Sequence, residues 1–179
     1  MVKAVKADAT PLRLGVVGVG VMGYNHARVL AEMPGVTLTG VADPDEKQAD
    51  FVRHTLGCAT VPDIEELLAL GVDAVSIAAP THLHRNIALA AIGRGVHVLV
   101  EKPIASSVEE GHELIAAARR AGVTLMVGHV ERFNPAVRPS RKPFATRTSS
   151  RSRSRALARS RRACRTSGSS SISRCTTST

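Results

Sequence analysis

The chain has 179 residues, enough for one domain with a substantial core, and its formal net charge is +9. The charge is uneven: residues 1–137 carry 12 Lys and Arg and all 15 Asp and Glu, whereas residues 138–179 carry 12 basic residues and no acid. The N-terminus lacks the apolar core of a signal peptide, and no apolar run reaches membrane-spanning length. We therefore expect a mildly acidic cytoplasmic domain with no membrane partner, followed by a basic tail.

Cysteine and histidine spacing argues against a disulfide framework and against a metal site. Cys58, Cys164 and Cys175 form no Cys-x-x-Cys or other ligand pattern, which indicates reduced thiols. His82 and His84 are separated by one residue, whereas two metal ligands on a helix need i, i+4 spacing. No metal site is predicted.

Short β-branched runs alternate with helical patterns throughout residues 10–137. The predicted strands cover residues 12–17, 36–42, 59–61, 73–78, 96–100 and 123–127. The predicted helices cover residues 21–33, about 45–56, 62–70, a stretch ending at Gly93, and a stretch that Ser106 or Ser107 caps and that ends near Ala121. This alternation predicts an α/β fold, a Rossmann-type domain with a doubly wound parallel sheet.

Three glycines follow the first predicted strand in G-x-G-x-x-G spacing. Gly18 suits a tight turn, and Gly20 lets a pyrophosphate approach the backbone closely. Gly23 allows the next helix to pack near the strand, and the N–H groups at the start of that helix favour phosphate. The spacing between a strand and a helix is typical of a dinucleotide-binding turn.

Asp43 ends the second predicted strand, 20 residues after Gly23. A carboxylate there accepts hydrogen bonds from the adenosine ribose hydroxyls and disfavours the extra phosphate of NADP, so NAD is the expected cofactor. The alternative is that Asp43 caps the helix that begins near Asp45. With the glycine turn upstream, we favour ribose contact.

Two further strand ends carry polar residues, and ligands bind doubly wound sheets at the carboxyl ends of the strands. One is Ala79–His84, and the other is Glu101–Pro103. Lys102 at such an end could polarise a carbonyl or donate a proton during hydride transfer. The alternative is a solvated lysine paired with Glu101.

The segments GVVGVGVMG, VADPD, AAPTHLH, VLVEKP and GHVERFNP follow one another as in the Gfo/Idh/MocA oxidoreductase family, and the chain resembles that family's N-terminal domain over about residues 12–138. The resemblance implies NAD(P)-dependent oxidation or reduction of a sugar or cyclitol hydroxyl, with Lys102 as the catalytic residue beside the nicotinamide. The His-x-Glu-Arg-Phe-Asn-Pro variant resembles the branch that oxidises UDP-N-acetyl-sugars at C3. The implied cofactor-binding residues are Gly18, Gly20, Val21, Met22, Gly23, Asp43, Ala79, Pro80, Thr81, His84, Glu101 and Lys102.

The Arg- and Ser-rich tail, residues 138–179, has no helical or strand period, and we expect it to be disordered. Two interpretations remain open. It could be a basic arm that binds nucleic acid non-specifically through phosphates, which would make the protein a nucleic-acid-binding module on a Rossmann platform. It could instead be the substrate domain translated out of frame.

Codon degeneracy favours the second interpretation of the tail. If one base is missing, a Ser codon hides an apolar residue and a Thr codon hides Asp, His, Asn or Tyr. Residues 169–179 are then compatible with VVIDLAVHDID, which contains the family's second signature, Asp-x-x-x-His. We therefore predict a one-base deletion at or just after the codon for Arg138. The chain is expected to hold the cofactor-binding half of a homo-oligomeric sugar or sugar-nucleotide dehydrogenase, and to be inactive alone.

Overall fold

The structure is a computed structural model that describes residues 10–136. The strands in that range are β1 (Leu12–Val17), β2 (Val36–Ala42), β3 (Ala59–Val61), β4 (Ala74–Ile77), β5 (His97–Glu101) and β6 (Leu125–Gly128). The helices are α1 (Val21–Glu32), α2 (Glu46–Leu56), α3 (Ile64–Ala69), α4 (Thr81–Gly93) and α5 (Val108–Ala121), followed by a short 3-10 helix, Val130–Phe133. The predictions for the tail lie outside the described residues.

All six strands form one parallel sheet in the order β3-β2-β1-β4-β5-β6. The chain winds outward from β1 through β2 to β3, then returns to the centre and winds the other way from β4 to β6. β1 and β4 are therefore central neighbours whose following loops diverge to opposite sides, which opens a crevice at their carboxyl ends. The predicted α/β fold with a doubly wound parallel sheet is confirmed.

Successive strand residues point to opposite faces of the sheet, and each face has its own core. Val16 and Val41 are fully buried with Val52 of α2 on one face. On the other face, Ile77 and Val100 are fully buried with residues of α3, α4 and α5. Both faces are covered near the sheet centre, as the near-continuous apolar strands require.

Several element boundaries differ from the predictions because side chains or turns use the terminal backbone groups. Asp45 and Asp63 are caps rather than helical residues, and they accept hydrogen bonds from the backbone N–H groups of Lys47 and Glu66. β4 begins one residue after the predicted start, although the backbone of Asp73 is still hydrogen-bonded to Arg13 and His97. β5 and β6 likewise begin later than predicted, because the N–H groups of Val96 and Val123 close the preceding helices by donating to Ala91 and Ala118.

Beyond α1, the face of the sheet over β4, β5 and β6 is an open apolar groove. Its volume is about 510 Å³, and Met126 and Val130 on its wall are 54% and 53% exposed. Other lining residues include Val29 and Met33 of α1. Within residues 10–136, no helix is both long and apolar enough to cross a membrane.

Candidate cofactor site

The glycine turn joins β1 to α1 at the centre of the sheet, and its three glycines have different surroundings. Gly18 has φ +81°, and a Cβ there would lie 2.8 Å from backbone atoms of Ala79. A Cβ on Gly23 would lie 1.7 Å from the carbonyl oxygen of Gly18, so α1 packs against the turn at a distance that only glycine permits. A Cβ on Gly20 would meet only Gln48 Oε1, at 4.0 Å. The turn is tight at both ends and open in the middle.

Asp43 fastens the end of β2 to this turn. Its Oδ2 accepts a 2.7 Å hydrogen bond from the backbone N–H of Val19, and its Oδ1 accepts one of 2.9 Å from the N–H of Asp45. Helix α2 is capped by Asp45, not by Asp43, so the alternative role predicted for Asp43 is wrong. Each carboxylate oxygen can accept a second hydrogen bond, which leaves Asp43 able to receive a ribose hydroxyl.

His84 joins the two other strand-end loops from beneath. Its ring is 1% exposed, with Nε2 at 2.8 Å from the carbonyl oxygen of Ala79 and Nδ1 at 3.0 Å from that of Pro103. Both partners are carbonyl acceptors, and the tautomer of the ring decides which of the two receives its N–H. His84 therefore lies under the Ala79–Thr81 loop and braces it against the loop that follows β5, instead of presenting its ring at the surface.

Glu101 and Lys102 point their functional groups to different environments. Glu101 is 8% exposed, and its Oε2 accepts a 3.1 Å hydrogen bond from the backbone N–H of Lys102. Lys102 is exposed, and no ion pair joins it to Glu101 in the part of the chain that the structure describes. The pairing in the predicted alternative is therefore absent, whereas the exposure of Lys102 agrees with its description as a solvated lysine.

These contacts arrange the predicted residues along one edge of the sheet. Asp43 contacts the glycine turn, the turn packs on Ala79, and His84 links Ala79 to Pro103 beside Lys102. The structure thus brings together the carboxyl ends of β2, β1, β4 and β5 in sheet order. Val21 and Met22 are exposed in the first turn of α1, while Pro80 and Thr81 begin α4.

The two helices that begin at this central edge have no side-chain cap and no acidic residue in the first turn. These are α1, with Gly20 at its N-cap, and α4, with Pro80. By contrast, Asp45, Asp63 and Ser107 cap α2, α3 and α5. The first N–H groups of α1 are consequently available to an anion, and the positive end of the helix dipole favours one. Together with the open space at Gly20, this arrangement fits a pyrophosphate.

Sequence reasoning missed His26 and Ser76. His26 lies on α1, with its Nδ1 2.8 Å from Ser76 Oγ on β4 and its Nε2 3.4 Å from Glu101 Oε1. A single serine within the apolar strand Ala74–Ile77 was a usable signal, because a buried hydroxyl needs a hydrogen-bond partner. Nothing in the spacing of the sequence identified His26 as that partner.

Several of the resolved pKa shifts arise from an ion pair, a helix cap and a buried thiol that stabilise the fold. Hydrogen bonds from Arg13 lower the pKa of Asp73 to about 2. The cap interactions of Asp45, chiefly its hydrogen bond from Gln48, lower the pKa of that carboxyl. Burial raises the pKa of the Cys58 thiol. These groups therefore keep their ordinary charge state near neutral pH.

Comparison with known proteins agrees with this geometry. Residues 12–129 match the Gfo/Idh/MocA family model, described as an oxidoreductase family with an NAD-binding Rossmann fold. UDP-N-acetylglucosamine 3-dehydrogenase from Acidithiobacillus ferrooxidans is 40% identical over 126 residues, 70% of this chain and 39% of the relative. A solved structure of that enzyme superposes with a TM-score of 0.69 at 39% identity, covering 74% of this chain and 43% of the other.

A second solved structure extends the comparison to a bound cofactor. It is the WlbA dehydrogenase from Bordetella pertussis in complex with NADH and UDP-GlcNAcA, with a TM-score of 0.68 at 28% identity. It covers 72% of this chain and 40% of its own. This chain thus spans about two fifths of the length of the relatives it matches. The predicted NAD cofactor is confirmed by the family match, and the chain belongs to the Gfo/Idh/MocA oxidoreductase family, of which residues 12–129 are the NAD-binding Rossmann domain.

Proposed function

We propose that NAD binds along the central edge of the sheet, with its pyrophosphate over Gly20 and the first turn of α1. The observation that carries this assignment is the contrast within the glycine turn. Gly18 and Gly23 are closed in by neighbouring backbone, whereas Gly20 borders open space beside an uncapped helix. Val21 and Met22 contribute backbone N–H groups to the same turn. Ala79, Pro80 and Thr81 form the adjacent wall, which His84 braces from below.

Asp43 is the proposed ribose acceptor and the basis for preferring NAD to NADP. Its carboxylate is already oriented by the N–H groups of Val19 and Asp45, so it needs little reorganisation to accept a ribose hydroxyl. The same negative charge would lie close to the 2′-phosphate of NADP. The carboxylate of Asp43 and the 2′-phosphate would therefore repel each other, and the repulsion is strong where water is partly excluded.

Lys102 is the proposed catalytic residue of the complete enzyme. The bound nicotinamide supplies hydride chemistry, accepting a hydride from a sugar carbon or returning it. The Lys102 backbone is fixed by Glu101, and its side chain is exposed at the edge, where it can stabilise or move the proton of the reacting hydroxyl. The 40% identity with a UDP-N-acetylglucosamine 3-dehydrogenase supports a sugar or sugar-nucleotide hydroxyl as the substrate.

The 179 residues alone are proposed to bind cofactor without turning over substrate. They span 39% of the relative from Acidithiobacillus ferrooxidans, and the family match ends at residue 129. The apolar groove beside α1 supports a missing partner domain, because soluble domains rarely leave such a surface uncovered. The proposed out-of-frame tail accounts for the missing half, and the complete form is expected to be a homo-oligomer. Sequencing the DNA around the codon for Arg138 tests this: no open frame beyond Thr179 after a one-base shift would overturn it.

A turnover assay tests the proposed activity. The 179-residue chain and a version with one base restored at the Arg138 codon are given NAD and UDP-N-acetylglucosamine, and NADH formation is followed. We expect activity only in the restored protein and a loss of about 100-fold or more in its Lys102→Ala variant, the usual effect of removing a general acid or base. Arg120→Ala, an exposed cation on α5, is the control and should keep full activity. Turnover by the 179-residue chain, or full activity in Lys102→Ala, would contradict the proposal.

A further inference from the structure

A polar cluster of His26, Ser76 and Glu101 borders the groove, where α1 packs near β4 and reaches the end of β5. His26 Nδ1 is 2.8 Å from Ser76 Oγ, and His26 Nε2 is 3.4 Å from Glu101 Oε1. The His26 and Glu101 side chains are 15% and 10% exposed, and Ser76 is 3% exposed. Three polar groups from three elements are therefore held together in a largely buried position, which has an energetic cost unless they satisfy one another.

Glu101 is the member of the cluster that has a buried oxygen atom without a hydrogen bond. Its Oε1 has no hydrogen bond within the residues that the structure describes, and His26 is the ionisable group that pairs with it. Its Oε2 is occupied by the backbone N–H of Lys102. On the opposite side, a Cβ at Gly128 would lie 2.6 Å from Oε1, so the carboxylate is closely confined. Among residues 10–136, His26 is the ionisable side chain that forms an ion-pair contact with Oε1.

We propose that His26 is a positioning residue for Lys102, an inference that rests on the proposed role of that lysine. The carboxylate can only accept, so the His26 ring carries its proton on Nε2 and donates it toward Glu101. The Ser76 hydroxyl, which can donate, satisfies Nδ1 and fixes the orientation of the ring. A histidine oriented by one partner so that it serves a second is a familiar supporting arrangement in functional sites.

As a consequence, α1, the helix that follows the glycine turn, also fixes the backbone position of Lys102. Glu101, held by His26, accepts the N–H of Lys102 at 3.1 Å. The carbonyl oxygen of Pro103, the next residue, lies 3.0 Å from Nδ1 of His84. Lys102 thus lies between two histidine-supported points, one on α1 and one on α4. The cofactor-binding turn and the lysine are then held in a fixed relative position. The reaction requires this, because hydride is exchanged with the substrate carbon while a proton is exchanged with the oxygen bonded to it.

Nuclear magnetic resonance of the purified 179-residue chain tests the inference without cofactor or turnover. The nitrogen shifts of His26 should show a proton on Nε2. Hydrogen exchange at the Lys102 amide should be about tenfold faster in His26→Ala, because the carboxylate that accepts it is released. His26→Gln, which restores a donor, should return the rate toward that of the wild type. His54→Ala, an exposed histidine on α2, is the matched control and should change nothing.

Exchange at the amide of Leu114, in the core of α5, separates a local effect from general destabilisation. We expect the Leu114 amide to keep its exchange rate when exchange at the Lys102 amide becomes faster. An unchanged Lys102 rate in His26→Ala, or an equal rise at Leu114, would overturn it. A wild-type His26 ring with its proton only on Nδ1 would also overturn it, and that measurement stands even if His26→Ala fails to fold. Because these readouts involve neither NAD nor substrate, they can fail while the proposed function holds, and the reverse.

Discussion

Five helices begin at the same edge of the sheet, yet those at the centre differ from those at the flanks. The flanking helices α2, α3 and α5 are capped by Asp45, Asp63 and Ser107, and each has at least one acidic residue in its first turn. The central helices α1 and α4 have neither feature. Free helix termini are normally satisfied within the protein. The lack of caps on α1 and α4, the two helices beside the crevice, supports the proposed position of the cofactor, and the capped helices provide the comparison.

The largest expected effect comes from placing a side chain at the tight end of the turn, where α1 packs against it. In Gly23→Ala, the new methyl group would overlap the carbonyl oxygen of Gly18, so α1 must move away from β1. We expect a loss of about 3 kcal/mol of unfolding free energy, the upper range for overpacking, together with loss of NADH binding. Thermal and denaturant unfolding measure the first, and fluorescence titration the second. Gly93→Ala, with no atom near its Cβ position, is the control. Wild-type stability in Gly23→Ala would show that α1 does not pack on the turn.

The next effect distinguishes a central helix from a flanking one directly. Val21 and Val108 are the first residues of α1 and α5 and are 83% and 70% exposed. A glutamate at either position favours the helix dipole, so both variants should keep their stability to within about 1 kcal/mol. Val21→Glu should weaken NADH binding by about tenfold or more through repulsion of the pyrophosphate, whereas Val108→Glu should not. Equal affinities in the two variants would remove the distinction between centre and flank.

Removing the N-cap of a flanking helix should lower the stability of the protein and leave its affinity for NADH unchanged. Asp63 accepts a 3.0 Å hydrogen bond from the N–H of Glu66 at the start of α3. Asp63→Ala is expected to cost about 1 kcal/mol of unfolding free energy, the usual value for a lost N-cap. Denaturant unfolding and NADH titration of the same sample check both statements. A change in NADH affinity as large as the change in stability would mean that the flanks also contribute to the site.

The smallest expected effect is on stability at low pH. It involves Arg13 and Asp73, which lie at the opposite end of the strands from the glycine turn. Arg13 holds the pKa of Asp73 at about 2, below the ordinary value near 4. A lowered pKa in the folded state means that this pair stabilises the protein above about pH 4 and that the contribution is lost as the pH falls toward 2. Both side chains are substantially exposed, so the effect is modest.

Denaturant unfolding at several pH values checks this prediction. Asp73→Asn should show a shallower loss of stability between pH 4 and 2 than the wild type, with NADH affinity unchanged at neutral pH. Asp50→Asn, which removes another exposed ion-paired carboxylate, is the comparison. The same acid slope in Asp73→Asn and in the wild type would contradict the assignment.

The parts of the fold that depend on local signals could be predicted from the sequence. The bounds of β1, β2 and β3 agree with the structure, because Gly or Pro residues lie close to both ends of each strand. The three glycines have the conformations and close approaches that their spacing indicates, since the requirement for glycine is steric and local. Asp45 and Asp63 were recognisable as helix starts, although their caps shift each start by one or more residues.

The parts that depend on packing between distant segments could not be predicted. His26 and Ser76 are 50 positions apart and meet only because α1 crosses the sheet from β1 toward β4. His84 lies at a predictable place in the chain, but its burial between Ala79 and Pro103 depends on how two loops meet. The hydrogen bond from Val19 to Asp43 likewise follows from the order of strands in the sheet. None of these contacts has a period or motif of its own.

The measurement that tests the central claim most directly is NADH binding to the purified 179-residue chain and to its Gly20→Ala variant. Gly20 has φ −59°, and its Cβ position borders open space, so alanine fits the folded protein without strain. We predict saturable NADH binding by the wild type and by Gly93→Ala. In Gly20→Ala we predict wild-type thermal stability with binding weakened by about tenfold or more, because the methyl group occupies the place of the pyrophosphate. No binding by the wild type, or equal binding by Gly20→Ala, would contradict the account.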